Sequence, residues 1–197
     1  MALSPPAPRQ LTHTRNIDFK GYLREDGLWD IEAQMMDTRE HTYLTREGVE
    51  VAPPNRFHHM LLRVTLNEEM VIQAIESGMA AAPFPECPKA EEPIQRLVGA
   101  RLGSGWRKAI NEAMGDVRGC THMRELLFNV ATAAFQTIPI YRRRFARAET
   151  QPLTPMPRPT KAPAHVGTCM SWDPNGPVVA RVAPQYVGWT RPAPAQP

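Results

Sequence analysis

The sequence predicts an α+β domain: an antiparallel four-stranded meander, then about three helices, then a Pro-rich C-terminal tail. Three observations carry that reading. Two stretches, 12–38 and 60–76, each read as a pair of strands folded about a polar turn. After Pro88 the apolar spacing changes to steps of three and four, the period of a helix face. The 21 prolines crowd the N-terminus, the region around Cys87 and everything after Thr150.

Residues 1–10 read as a disordered lead, because prolines at 5, 6 and 8 cannot feed a sheet interior. The first strand pair turns at Glu25-Asp26-Gly27, where Asp-Gly tolerates positive φ. Trp29, Ile31, Ala33 and Met35 share one parity, and Asp30, Glu32 and Gln34 the other. That alternation is the mark of a half-buried strand. Upstream, His13, Arg15, Ile17, Phe19 and Gly21 also share a parity. Residues 39–56, with Gly48 and Pro53-Pro54, are expected as a long loop. Met60–Leu66 and Met70–Glu76 form the second pair about Asn67-Glu68-Glu69.

Ile94, Leu97 and Val98 fit the face of a first helix that ends near Gly99. Ser104 is placed to cap a second helix holding Trp106, Ile110 and Ala113, with Gly115 as its stop. Met123, Leu126, Leu127, Val130, Ala134 and Ile138 define a third, which Pro139 should disrupt. The folded body is therefore expected over 11–140. Within the tail, 141–197, Gly167–Val182 is the exception to linker-like composition and is expected as a short hairpin.

Composition narrows the function classes. Lys+Arg number 23 against Asp+Glu 20, a net charge of +3. So even a balance does not call for nucleic acid. The run Arg142-Arg143-Arg144 suits the negative end of a helix dipole. No stretch approaches the roughly 18 apolar residues of a membrane span, and the first residues lack a signal-peptide core. These features predict a cytoplasmic protein with reduced thiols. Three cysteines are an odd count for a disulfide framework. The partner expected is another protein.

The residues able to carry chemistry centre on Gly119-Cys120-Thr121-His122. Cys120 falls where the third helix begins, with Thr121 a candidate cap. Free N–H groups and positive partial charge there favour a thiolate. Cys120 and His122 are usable in two ways: as ligands of a soft metal, or as thiol nucleophile and base. A buried small cysteine beside a hydrogen-bonded histidine is the bland alternative. Cys87, in a rigid Pro85–Pro88 loop, is a further candidate ligand, although neither C-x-x-C nor H-x-x-x-H is present. Cys169 can contribute from the tail. Of His58 and His59 only one can face inward, and His59 is expected to, by parity with Leu61. Glu125, one turn from His122, is placed to orient its ring. Asp30 and Glu32, with Asp18 across the hairpin, read as a solvated outer face. The glycines of Gly99–Trp106 lack the strand and the Gly-Lys-Ser/Thr ending of a nucleotide loop and read as a tight helix connection.

Several blocks together resemble a known family. They are Glu25–Glu32, Pro83–Pro88, Leu97-Val98-Gly99, Gly105-Trp106 and Gly119–Leu127. In that order over residues 10–138 they are similar to the bacterial domain-of-unknown-function family numbered 2889. The resemblance implies a bacterial domain without an assigned activity. The order of sheet, loop cysteine, helix and Cys/His pair also resembles U-type iron–sulfur scaffold proteins, at the level of topology. That likeness implies Cys87 as a loop thiolate and Cys120 with His122 as the late pair. Here Thr121 separates two residues that are adjacent in the scaffold pattern. The preferred reading is a domain binding an iron–sulfur cluster or zinc through Cys87, Cys120 and His122. Cys169 or His59 would complete the site, in an assembly, delivery or sensing role. The alternatives are a thiol enzyme and a non-catalytic accessory module.

Overall fold

A computed structural model gives the fold. It describes residues 3–145, 162 and 165–190, the side chains of 143–145 apart. The chain divides into two units, residues 1–146 and 147–197.

The first unit is built on strands β1 (His13–Leu23), β2 (Trp29–Arg39), β5 (Asn55–Leu66) and β6 (Ile72–Ala81). They form one antiparallel sheet in the order β1-β2-β5-β6, the expected meander. The first turn closes as Arg24 N–H donates to the Leu28 carbonyl at 2.9 Å, with Gly27 at φ 83°. Asn67 builds the second turn, its Oδ1 accepting the N–H groups of Glu69 at 3.1 Å and Val71 at 2.9 Å. This side-chain mimicry of a backbone turn lets Met70 take a positive φ of 65° while its side chain stays buried.

The region 39–56 is more ordered than a loop. Two short strands, β3 (Tyr43–Leu44) and β4 (Glu50–Val51), pair with each other, and β5 already begins at Asn55. At two residues each these strands are too short to show an alternation, and backbone pairing needs no apolar face.

After β6, Cys87–Leu97 forms a 3₁₀ segment where an α-helix face was expected. Pro93, inside the segment, lacks the N–H that an α-helix would bond there, and its ring opposes the carbonyl four residues back. Ile94 and Leu97 are buried as expected, and Val98 is 45% exposed. Helix α1 (Trp106–Met114) ends at Gly115 as predicted, but Gly105 rather than Ser104 precedes its first turn, at φ 86°. Helix α2 (Thr121–Phe145) runs straight through Pro139. A proline inside a helix costs about 3 kcal/mol. Packing on both sides of it offsets that loss: Ile138 is buried, Tyr141 sits edge-on to Trp29 at 5.2 Å, and Arg142 meets Glu68 at 3.1 Å.

The helices cover one face of the sheet. Trp29, Ile31, Ala33 and Met35 from β2 and Met60, Leu62, Val64 and Leu66 from β5 point into the core. Ile110, Met123, Leu126, Leu127, Val130 and Ala134 of the helices join them there. The other face is solvated, as expected for Asp30 and Glu32. Thr65 donates to Asp30 at 2.7 Å, Arg63 pairs with Glu32 at 2.8 Å, and Gln34 donates to Asp18 at 3.3 Å. No helix among the described residues is long and apolar enough to cross a membrane.

Gly21 sets how closely α2 lies on β1. A Cβ there would overlap the Thr137 side chain. Gly21→Val is therefore expected to lower stability by about 1–3 kcal/mol through overpacking. A reduced urea midpoint with unchanged slope would register the loss. A wild-type midpoint would show that the bare backbone is not needed.

In the second unit Val166, Val179, Ala183 and Tyr186 form a small buried cluster with Trp172 and Trp189 against it. The hairpin expected over 167–182 is absent. Met170–Trp172 forms a 3₁₀ turn and Pro177–Val182 a short helix, α3. The reason lies in Gly176-Pro177: proline at the first turn of a helix gives up an N–H that would have no partner and has its φ preset. The rest of the expected tail, most of 146–164 and 191–197, lies outside the described residues.

Candidate functional site

The chemistry gathers at the end of the sheet where β1 begins, β2 ends and β5 begins, beside the first turn of α2. Asp37 continues the inward parity of Trp29, Ile31, Ala33 and Met35, so its carboxylate enters the core side of the sheet and is fully buried. The register sets Arg15 opposite it on β1 and His58 opposite it on β5. An irregularity between Asp37 and Thr38 shifts the pairing with β5 just beyond that point.

Four hydrogen bonds converge on this carboxylate. Arg15 donates from Nε to Oδ1 and from Nη2 to Oδ2, both at 2.8 Å. His58 Nδ1 lies 2.9 Å from Oδ2 and His13 Nε2 3.1 Å from Oδ1. Burial by itself would raise the Asp37 pKa. The bonds from Arg15, His58 and His13, with the charge of Arg15, outweigh it and hold the carboxyl well below the usual carboxylate range. Arg15 in turn has its pKa raised, chiefly by its hydrogen bonds to Asp37. Its Nη1 also donates to Glu125 Oε2 at 2.9 Å. Glu125 therefore orients Arg15, not the His122 ring as expected, because an arginine already held by Asp37 lies within its reach.

On the helix side, Gly119 lets the chain enter α2 tightly against α1. A Cβ at Gly119 would fall 2.8 Å from the Met114 carbonyl oxygen. Cys120, not Thr121, takes the cap position, its carbonyl accepting the Arg124 N–H at 3.1 Å. From there His122 turns toward the sheet. Its ring centroid lies 4.0 Å from that of His58, and its Nδ1 is 3.6 Å from Cys120 Sγ. The His122 pKa is lowered, first by burial and then by the neighbouring His58 and Arg15, against a smaller opposing pull from Asp37. The neutral imidazole is thus favoured, the form that ligates a metal or accepts a proton.

Asp37, His58 and His122 each offer a ligand atom, all within 4.8 Å of one another. Among the described residues this is the one such group of three or more His, Cys, Asp or Glu. Of the residues singled out from sequence, Cys120 and His122 are brought together. Cys87 is half-buried at the start of the 3₁₀ segment and lies outside any such group. His59 faces the opposite side of the sheet, 3.3 Å from Gln34 Oε1. The inward parity on β5 belongs to Met60 and Leu62, since Leu61 is 39% exposed, and so His58 is the inward histidine. Cys169 is exposed in the second unit. The glycines of Gly99–Trp106 serve the backbone turns, at φ 86°, 147° and 86°, and their segment bonds along the start of β6: Gly99 N–H donates to the Ile72 carbonyl and Leu102 N–H to that of Met70.

Asp37, His13 and Arg15 were missed in the sequence as site residues, and His58 was passed over for His59, although a signal existed. Extending the inward parity of β2 by one step lands on an aspartate, a residue almost never buried without partners. The β1 parity set contains His13 and Arg15, two groups able to supply them.

The profile of the family described as "Protein of unknown function (DUF2889)" matches residues 13–136. That span runs from His13 to the last third of α2 and holds every residue of the site. No curated protein and no solved structure matches the chain.

Proposed function

The chain belongs to the protein family of unknown function DUF2889, and within it we propose a site for one borderline-soft divalent cation of the Zn²⁺ type. His58 and His122 supply imidazole nitrogens, and Cys120, whose Sγ lies 3.6 Å from His122 Nδ1 but outside the group of ligand atoms that converge within 4.8 Å, adds a thiolate by turning its side chain toward His58. The carrying observation is the pair of imidazoles at 4.0 Å, one fixed by a buried carboxylate. Both Asp37 oxygens already accept two hydrogen bonds each, and Arg15 neutralises the charge. Asp37 is therefore better suited to orient His58 than to ligate. With Nδ1 given to the carboxylate, His58 keeps Nε2 for a metal, the usual carboxylate–histidine–metal arrangement. Two imidazoles and one thiolate suit zinc better than an iron–sulfur cluster, whose irons prefer thiolates. Three protein ligands leave a fourth position for water or a small ligand.

The test is metal analysis of the purified chain, followed by Co²⁺ substitution. One equivalent of bound zinc is expected, with a thiolate-to-cobalt charge-transfer band that Cys120→Ser removes. His58→Ala and His122→Ala are each expected to lose the metal. A folded wild type that binds no zinc at micromolar concentration would defeat the reading, and an iron–sulfur visible spectrum would replace it.

A second reading rests on the 3.6 Å approach of Cys120 Sγ to His122 Nδ1 and on the neutral state favoured for His122. These suit a thiol nucleophile with an adjacent base. Iodoacetamide separates the two. In a thiol enzyme Cys120 is alkylated quickly and zinc gives no protection.

A further inference from the structure

Arg39 lies one pleat beyond Asp37 on β2, on the same face, and roughly 7 Å along the strand. The register sets it opposite His13, whose ring reaches Asp37. Its guanidinium is held over two aromatic rings, 4.1 Å from the Tyr43 centroid and 4.4 Å from the Phe57 centroid. Phe57 continues the contact to the site, 4.8 Å from His58 and 5.7 Å from His13. Among the described residues the Arg39 N–H groups have no hydrogen-bond acceptor and no carboxylate partner. Arg15, by contrast, already donates from each of its three guanidinium nitrogens, to Asp37 and Glu125.

A guanidinium lying on aromatic rings keeps its N–H edge for a planar oxyanion. The rings restrict its rotamers and so lower the entropy lost on binding. The local charges also fit. Arg15 and Arg39 balance Asp37 and Glu125, and a divalent ion with the Cys120 thiolate adds one positive charge. We propose that Arg39 receives the oxyanion of a small-molecule ligand, a carboxylate or phosphate, whose other end reaches the His58–His122 site. This names the ligand class for the metal site proposed above. It rests on that reading only for the destination of the ligand's far end.

The experiment uses the full chain in zinc-loaded and EDTA-treated forms, with inorganic phosphate as the probe. NMR follows the Arg39 Nε–H and the His13 and His58 ring signals. Saturable shifts are expected in both forms, with tighter binding in the zinc-loaded one. Arg39→Gln should weaken phosphate binding about tenfold, the worth of one charge-assisted hydrogen bond. Arg39→Lys, which keeps the charge but loses the planar fork, should fall between. Zinc stoichiometry should be unchanged in both variants. Should Arg39→Gln fail to fold, the comparison of Arg39→Lys with wild type decides. Phosphate binding equal in the variants and wild type overturns the proposal, as does a wild type that shows no saturable shift at millimolar phosphate. Arg39 would then only pin Tyr43 and Phe57 in place. Loss of the zinc dependence alone, with Arg39-dependent binding intact, counts against the metal reading and not against this one.

Discussion

Asp37→Ala is expected to destabilise the first unit by about 3 kcal/mol, the range for breaking a buried ion pair by removing one partner. The carboxylate is fully buried and accepts from Arg15, His58 and His13. Its removal leaves two imidazoles without this acceptor and the Arg15 guanidinium with Glu125 alone. Arg15 remains one-third exposed, and water there takes back part of the loss, which keeps the figure at the low end of that range. Asp37→Asn retains one acceptor and should lose less. Urea unfolding of the three proteins measures this, and coincident midpoints would show that the network contributes nothing net. Zinc affinity should fall by 10–100-fold in Asp37→Asn, the usual effect of removing the partner that orients a histidine ligand.

The same network sets a pH dependence. Asp37 has a lower pKa folded than unfolded. Its contribution is therefore whole above the unfolded value of about 3.9 and is lost as pH falls from there through the folded value. The stability gap between wild type and Asp37→Asn should shrink below about pH 4. A gap that instead widens on acidification would mean that the folded carboxyl is not held ionised.

The second large effect is expected at Trp106. It opens α1, is almost fully buried, and donates from Nε1 to the Leu127 carbonyl of α2 at 2.9 Å. Trp106→Ala removes a large apolar surface and one hydrogen bond to a helix carbonyl, for a loss of about 4 kcal/mol. Since α1 holds Gly119 and the start of α2 in place, zinc binding should weaken with it. Trp106→Phe restores most of the volume without the N–H, so it should recover packing and leave a deficit of about 1 kcal/mol. An unfolding midpoint for Trp106→Ala near that of wild type would overturn this account of the α1–α2 contact.

The four-stranded meander was legible because one sheet face is wet and the other is packed. That asymmetry writes a period of two into Trp29–Met35. The third helix was legible for the same reason at its own period. Its passage through Pro139 was not legible, because the compensating contacts of Tyr141 with Trp29 and of Arg142 with Glu68 come from distant strands. The 3₁₀ segment at Cys87–Leu97 and α3 in the second unit were misread because apolar spacing in short, proline-bearing stretches does not distinguish their backbone forms.

The sequence by itself singled out the Cys120/His122 step, since that chemistry is local: two residues, one helix start. It could also exclude a membrane helix and name the family likeness. Only the tertiary structure decided which residues complete the site. Register placed Arg15, Asp37 and His58 in one row across three strands, and parity turned His58 inward and His59 outward. Cys120 and His122 stand 3.6 Å apart, and Cys87 joins no group of three such ligand atoms among the described residues. The physical reason is that a charged residue is buried only where its partners arrive together. That convergence depends on strand register, which a linear sequence does not display.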